Sequence, residues 1–358
     1  MKKSNVFLMA ILLLATTALQ AQTGNIVTMK TTKTKSISIM VKYTGTGTIK
    51  ANGTTLNNGL NNGGNYTSGI IPAADNSITI TSTGSIRLTM LDVQLTALTQ
   101  LNVSNAIYLT ELYCNDNKLT HLSLPNSTAL TQLACSNNQL SQLDVSKYTA
   151  LKNLWCYSNQ LSQLDVSKNT TLNTLSCSRN KLMQLDVSKN TVLKELSCDN
   201  NKLVQLDVSK NAVLKKLECS ENKLAQLNVS KNIALTELRC NSNRLSSLDL
   251  SKNLKLTILD ANNQAVEVVV LPGATTFPNP IYYCNKTAVS PAEIGGTAYA
   301  HKANVPKSSG RTVNFTTDNG CYKGNGSGSN GFWDDAFGSN TFTGSAFAGV
   351  ITFVFDNR

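Results

Sequence analysis

The chain predicts a mainly β fold: a right-handed solenoid of about nine 21-residue coils, with a parallel sheet along its concave face and small β units at both ends. Three observations predict it. Cysteine returns every 21 residues, at Cys114, Cys135, Cys156, Cys177, Cys198, Cys219 and Cys240. Each of them sits in the frame L-x-x-L-x-C-x-x-N-x-L-x-x-L, which in all but the coil of Cys114 continues as D-V-S-K-N or a one-residue variant of it. Around each cysteine, apolar and polar residues alternate with period two, as in a short strand with one buried face. A fixed period means one supersecondary unit stacked on copies of itself, and such a stack offers an extended surface in place of a catalytic pocket.

In chain order, Lys2 and Lys3 precede an apolar run from Val6 to Ala15 and then small and polar residues to Ala21. That is the pattern of a secretory signal peptide over residues 1–21, cleaved after Ala21 or near Ala18. The apolar run is too short to span a bilayer, and no later segment offers a transmembrane span. The expected location is therefore secreted or cell-surface associated. The formal net charge is +11, and removal of Lys2 and Lys3 lowers it by two. Over residues 22–87, alternation at 36–41 and 78–82 brackets a Gly/Asn/Thr-rich stretch, Gly45–Gly69. This reads as a small β unit capping the open end of the core.

The repeats occupy residues 88–271. The first leucine recurs from Leu88 to Leu256 and the fourth-position leucine from Leu91 to Leu259. Position eleven runs from Leu98 to Leu245, position fourteen from Leu101 to Leu248, and position sixteen is Val or Leu throughout. Position nine is asparagine from Asn117 to Asn243, where a side-chain amide can satisfy backbone groups that a bend leaves unpaired. No coil buries its leucines alone; each contributes roughly 1.5–3 kcal/mol once stacking removes it from water. Cysteines in a straight inward row do not converge on a metal, and parallel Cβ vectors suit a disulfide badly, so the ladder reads as small apolar filler. Aspartates (Asp144, Asp165, Asp186, Asp207, Asp249) and lysines (Lys147, Lys168, Lys189, Lys210, Lys231, Lys252) share the D-V-S-K turn. Turn chemistry and an anion-binding track are the two readings of these rows, and the near balance of charge favours the first.

After Leu271 the period stops, and residues 272–358 read as a C-terminal β domain. Cys284 and Cys321 stand outside the ladder as an even pair and are expected to form a disulfide in an oxidising compartment. The aromatic run Phe332, Trp333, Phe337, Phe342 and Phe347 serves either a capping core or a sorting or docking module.

Seven consecutive coils carrying L-x-x-L-x-C-x-x-N-x-L resemble leucine-rich repeat proteins of the bacterial internalin group, most of all the internalin J-like proteins with a cysteine ladder. The resemblance implies a curved parallel-sheet solenoid with a binding or adhesive role at a cell surface. Internalins cap their first coil with a helical segment, whereas residues 22–87 show no helical periodicity.

Outward positions three, five and seven vary, which is where such a repeat writes specificity. Tyr113 and Trp155 fall in one outward column with Ala134 between them, about 10 Å apart by strand spacing, and Tyr157 lies beside them. Asn115, Gln132 and Asn153 supply hydrogen-bonding groups. These six residues form the candidate ligand-binding site, unless a terminal β unit folds over the rings and buries them as packing. His121 and His301 lie in no catalytic motif, and the outward carboxylates lack a pocket, so no catalytic residue, metal or cofactor is expected. The face leans acidic, which argues against nucleic acid. Two functions remain: recognition or adhesion through a protein or glycan ligand at a cell surface, or a structural cell-envelope spacer without a specific ligand.

Overall fold

The computed structural model describes residues 24–33, 36–58, 65–72, 76–250 and 252–261, with further strands at 268–270, 281–283, 314–318 and 321–325. The leader at 1–21, the Cys284–Cys321 pair and the aromatic run from Phe332 to Phe347 lie outside the residues whose side chains are described. Among the described residues there is no helix. The chain forms two compact units, Met1–Ser141 and Gln142–Arg358.

The first unit contains β1 (Gly24–Thr31), β2 (Ser36–Thr44), β3 (Ile49–Ala51), β4 (Thr54–Thr55), β5 (Asn57–Asn58), β6 (Asn65–Pro72), β7 (Ser77–Ser82), β8 (Arg87–Asp92), β9 (Leu98–Asn102), β10 (Glu111–Tyr113) and β11 (Gln132–Ala134). One sheet has the order β4-β3-β7-β1-β9, all antiparallel. In the other, β2 lies antiparallel between β6 and β8, and β8 passes into the parallel run β8-β10-β11. The expected alternation over 36–41 and 78–82 is present, with Ile37, Ile39 and Val41 buried on β2 and Ile78 and Ile80 on β7. The structure adds β1 and β6, and β6 runs through the stretch whose composition had pointed to turns. Two tight loops meet where Ser85 N donates to Thr46 O (2.8 Å). Gly84 there has φ +70, and a Cβ would sit 2.3 Å from Thr46 O, so only glycine fits.

The second unit contains β12 (Asn153–Trp155), β13 (Thr174–Ser176), β14 (Glu195–Ser197), β15 (Lys216–Glu218), β16 (Glu237–Arg239), β17 (Ser247–Asp249), β18 (Ile258–Asp260), β19 (Val268–Val270), β20 (Ile281–Tyr283), β21 (Asn314–Asp318) and β22 (Cys321–Asn325). From β12 to β16 and on to β18, each strand pairs in parallel with the next in a register of one coil, as in Leu175↔Leu196 and Leu196↔Leu217. Each strand is three residues long, with the fourth-position leucine as its buried centre. The register is locked because a slip by one residue would turn that leucine outward.

Asparagine at position nine joins the coils. In the second unit, Asn180 Nδ2 donates to Cys156 O of the preceding coil and to Cys177 O of its own, both at 3.0 Å. Its Oδ1 accepts from Leu161 N at 2.9 Å. The same pattern recurs at Asn201, Asn222 and Asn243, and within the first unit at Asn117. The residue before it is left-handed in every coil from Leu95 to Ser242, with φ of 52° even at Arg179 and Glu221.

A second asparagine column, at position nineteen, was not singled out by sequence. Asn190 is fully buried and donates to Val166 O (3.0 Å) and Asn169 O (2.9 Å), and Asn169, Asn211, Asn232 and Asn253 do the same. Their Oδ1 atoms have no hydrogen-bond partner. This column therefore closes carbonyls only, whereas the column at nine also closes an N–H. Asn180→Ala leaves a buried donor orphaned and is expected to cost at least ~2 kcal/mol, more than Asn190→Ala, which also removes an orphaned oxygen. Urea unfolding of the two variants checks the order.

The ladder cysteines are thiols outside any disulfide and are fully buried. Each thiol lies behind the sheet, and its N–H extends the ladder, as in Cys177 N to Ser197 O at 2.8 Å. Burial pushes the Cys135 and Cys177 thiols up to about 12, and those of Cys114, Cys198 and Cys219 up as well. Thiolate is the reactive form, so these groups are inert while the fold holds. Iodoacetamide at pH 8 is expected to leave all seven unmodified in the native protein and to alkylate them in denaturant, and Cys177→Ser is expected to cost about 1–3 kcal/mol.

Candidate functional site

The outward strand residues stand on a rigid frame, so each coil offers positions three, five and seven on the face opposite its leucine. In the first unit, Tyr113 is half-buried on β10, and its hydroxyl donates to Glu111 Oε2 (3.0 Å) or Gln132 Oε1 (3.3 Å). Asn115 Nδ2 donates to Gln94 Oε1 (3.1 Å), and its Oδ1 accepts from Ser136 N (2.8 Å). Ala134, in the next coil of that column, is buried at 4% exposure. Gln132 thus meets Tyr113, while Asn115 works between coils and is not an unengaged contact group.

In the second unit, Asn153 and Trp155 are half-buried on β12, and Tyr157 follows, also half-buried. The six candidate residues fall three to each unit, and all three rings keep partial exposure. After Thr174 and Ser176, the face becomes charged. Lys216 Nζ stands 2.9 Å from Glu218 Oε1 and 3.9 Å from Glu237 Oε1. Arg239 Nε stands 2.7 Å from Glu237 Oε1 and 3.6 Å from Glu218 Oε1. Ser197 Oγ donates to Glu218 Oε2 at 2.6 Å. Sequence reasoning noted these charges but not their closure into a quartet. The signal is a sign inversion at positions three and five between neighbouring coils.

Burial alone would raise the Glu218 carboxyl, but Ser197, Lys216 and Arg239 outweigh it and hold the group below its ordinary range. Asp199 goes the other way. Burial raises its carboxyl, only partly opposed by hydrogen bonds from Ser220 N (2.9 Å) and Ser178 Oγ (3.0 Å). The turn aspartates behave differently again: Asp165, Asp186 and Asp207 each accept the N–H of the serine two residues on, at 2.8 Å, which holds them below the usual carboxylate range. The D-V-S-K row is therefore a series of Asx turns. Among the described residues no group of three or more His, Cys, Asp or Glu could hold a metal ion, and no helix is long and apolar enough to cross a membrane.

Coils of this length, with one short parallel strand, an inward leucine column and an asparagine that hydrogen-bonds coil to coil, define a leucine-rich-repeat protein. Cysteine fills the inward column at position six in seven consecutive coils. No protein-family model matches the chain, and no curated protein matches it. Among solved structures, the chain is similar to the functional domain of InlJ from Listeria monocytogenes, described as including a cysteine ladder: 33% identity over 50% of each chain, TM-score 0.40. It is similar also to a leucine-rich-repeat protein of Leptospira interrogans (24% identity, 46% of this chain and 45% of that one, TM-score 0.43). YopM from Yersinia pestis, a leucine-rich effector protein, is 23% identical over 52% of this chain and 53% of its own, TM-score 0.44. The chain spans about half the length of these structures.

Asp199 yields a pH prediction with a definite sign. Its carboxyl is raised in the folded protein, so its contribution to stability is present at low pH and is lost as pH rises through the folded value. Asp199→Asn removes that loss. Its melting temperature relative to the parent is expected to be higher at pH 7 than at pH 4, which thermal melts at the two pH values measure.

Proposed function

We propose that the protein is a secreted or surface-associated, non-enzymatic recognition protein that binds a protein or glycan on the outward face of its strands. In the first unit Tyr113 acts as an anchor with Gln132 at its hydroxyl, and in the second unit Trp155 and Tyr157 act as anchors with Asn153 on the same strand as Trp155. The observation that carries this reading is the contrast between invariant inward positions and outward ones that change from coil to coil, with partly exposed rings concentrated among polar neighbours. Aromatic anchors that bury ring area at little entropic cost dominate recognition surfaces.

The charge pattern argues against hydrolysis. Asp199 and Glu218, whose carboxyls are pushed in opposite directions on the strand face, have their oxygens tied to Ser178, Ser197, Ser220 and Lys216 within the stack. An acid–base pair needs its protons aimed at a bound substrate.

A protein and glycan array screened with the mature protein identifies the ligand, and Trp155→Ala is then compared with the parent. Lost binding with an unchanged melting temperature is the expected result, and Lys168→Ala/Lys189→Ala/Lys210→Ala serves as a control that keeps its affinity. Lost stability would assign Trp155 to packing. Full binding by the Tyr113→Ala/Trp155→Ala double variant would refute the aromatic site, and an array without any ligand would leave the spacer reading in its place.

A further inference from the structure

The outer face of the first unit carries a separate feature. On β1 and β9, Met29 and Leu101 are buried, so their neighbours Thr28, Lys30, Gln100 and Asn102 point outward. The registers set these residues in two rows. Ser77, Lys30 and Gln100 lie across from one another on β7, β1 and β9, and Thr79, Thr28 and Asn102 form the next row. Opposed residues in such rows stand about 5 Å apart at Cβ.

Beyond β9 the sheet continues only as a single parallel bridge between Asn102 and Ser123, beside which Thr120 and His121 are exposed. Thr120 Oγ1 and His121 Nδ1 are 3.1 Å apart, which leaves Nε2 as the outer nitrogen. The step from a regular sheet to this bridge leaves a cleft of about 410 Å³. That lies within the roughly 300–1,000 Å³ that holds small ligands.

The cleft is unusual for its missing groups as well as its present ones. Its lining includes no aspartate, no glutamate and no aromatic ring apart from the imidazole; hydroxyls and amides predominate, with Lys30 as the cation. The local sequence departs from the repeat at these positions. Asn102 and Ser123 stand where later coils carry Asp144, Asp165 and Asp186, and His121 stands where most coils carry glutamine. The carboxylate that most later coils carry at this position is therefore absent where the cleft opens.

We infer that this cleft binds a short acidic oligosaccharide. Thr28, Gln100 and Asn102 exchange hydrogen bonds with sugar hydroxyls, and Lys30 and His121 hold a carboxylate or sulfate on the sugar. A bare anion would not use the rows of hydroxyls and amides, and a nucleotide would find no ring to stack on. The inference stands apart from the strand-face reading, since it uses none of the same side chains.

Calorimetry on the full chain with tri-galacturonate, a heparin tetrasaccharide and neutral maltotriose tests it. At least one acidic probe is expected to bind ~10-fold or more tightly than maltotriose, and Lys30→Ala/His121→Ala is expected to lose ~10-fold or more with its melting temperature kept. Trp155→Ala is expected to bind these probes like the parent, which separates failure here from failure at the strand face. If the double variant melts early, Lys30→Gln and His121→Gln are measured singly with the same readout. Failure of both acidic probes to bind, equal binding of maltotriose, displacement by free sulfate at matched ionic strength, or parent-like binding by the variants would overturn the assignment.

Discussion

Everything in the stack depends on the asparagine at position nine. A three-residue strand ends abruptly, and the chain must turn while its carbonyls and the next N–H face the interior, where water does not reach them. Asn180 closes those groups on its own coil and on the preceding one at once. Its bonds to Cys156 O and Leu161 N belong to the preceding coil, so they exist only when coils are stacked. The same condition governs the leucines, whose burial also requires a neighbour. Polar satisfaction and apolar burial are thus made by one event, which makes the array cooperative from coil to coil.

The turn that asparagine secures is strained. Position eight holds φ near 50° in residues as unsuited to it as Arg179 and Glu221. Left-handed backbone costs about 1–2 kcal/mol for such residues. Asp116, Asn137 and Asn200 adopt that conformation readily, whereas at Ser158, Arg179, Glu221 and Ser242 the cost is offset by the amide bonds one residue on, so the side chain at position eight varies while its backbone does not. Cysteine at position six answers a related packing demand. The site is fully enclosed in each coil, and Val93 and Ala261 fill it at the two ends of the frame just as completely. Volume and apolarity are what the position selects, and thiol chemistry plays no part.

Much of the second unit could be read from the sequence because its rules repeat. The strand column, the asparagine bend and the Asx turns each appear several times, and repetition separates a structural requirement from an accident of composition. The rest was hidden for identifiable reasons. Left-handed backbone usually announces itself through glycine, and here it does not. Asn190 and its column follow lysine in a polar turn, so their full burial leaves no mark in the hydropathy pattern. In the first unit, β6 runs through a sequence rich in asparagine, threonine and glycine, where pairing with β2 overrides local preference. At the candidate site, the columns of Tyr113 and Trp155 followed from the frame, but the engagement of Asn115 with Gln94 and Ser136 did not. That depends on rotamers, which spacing cannot give.

The division between frame and face has a consequence for where recognition energy can reside. The quartet of Lys216, Glu218, Glu237 and Arg239 satisfies its own charges across adjacent coils, and its partly exposed ion pairs contribute little individually. A partner docking there would have to replace bonds already made, so that stretch discriminates between ligands more than it attracts them. Rings such as Tyr113 and Trp155 have apolar area still partly in water, and covering it is a net gain. On the proposed reading, affinity would come from the aromatic coils, while the charged coils would set which partners are refused.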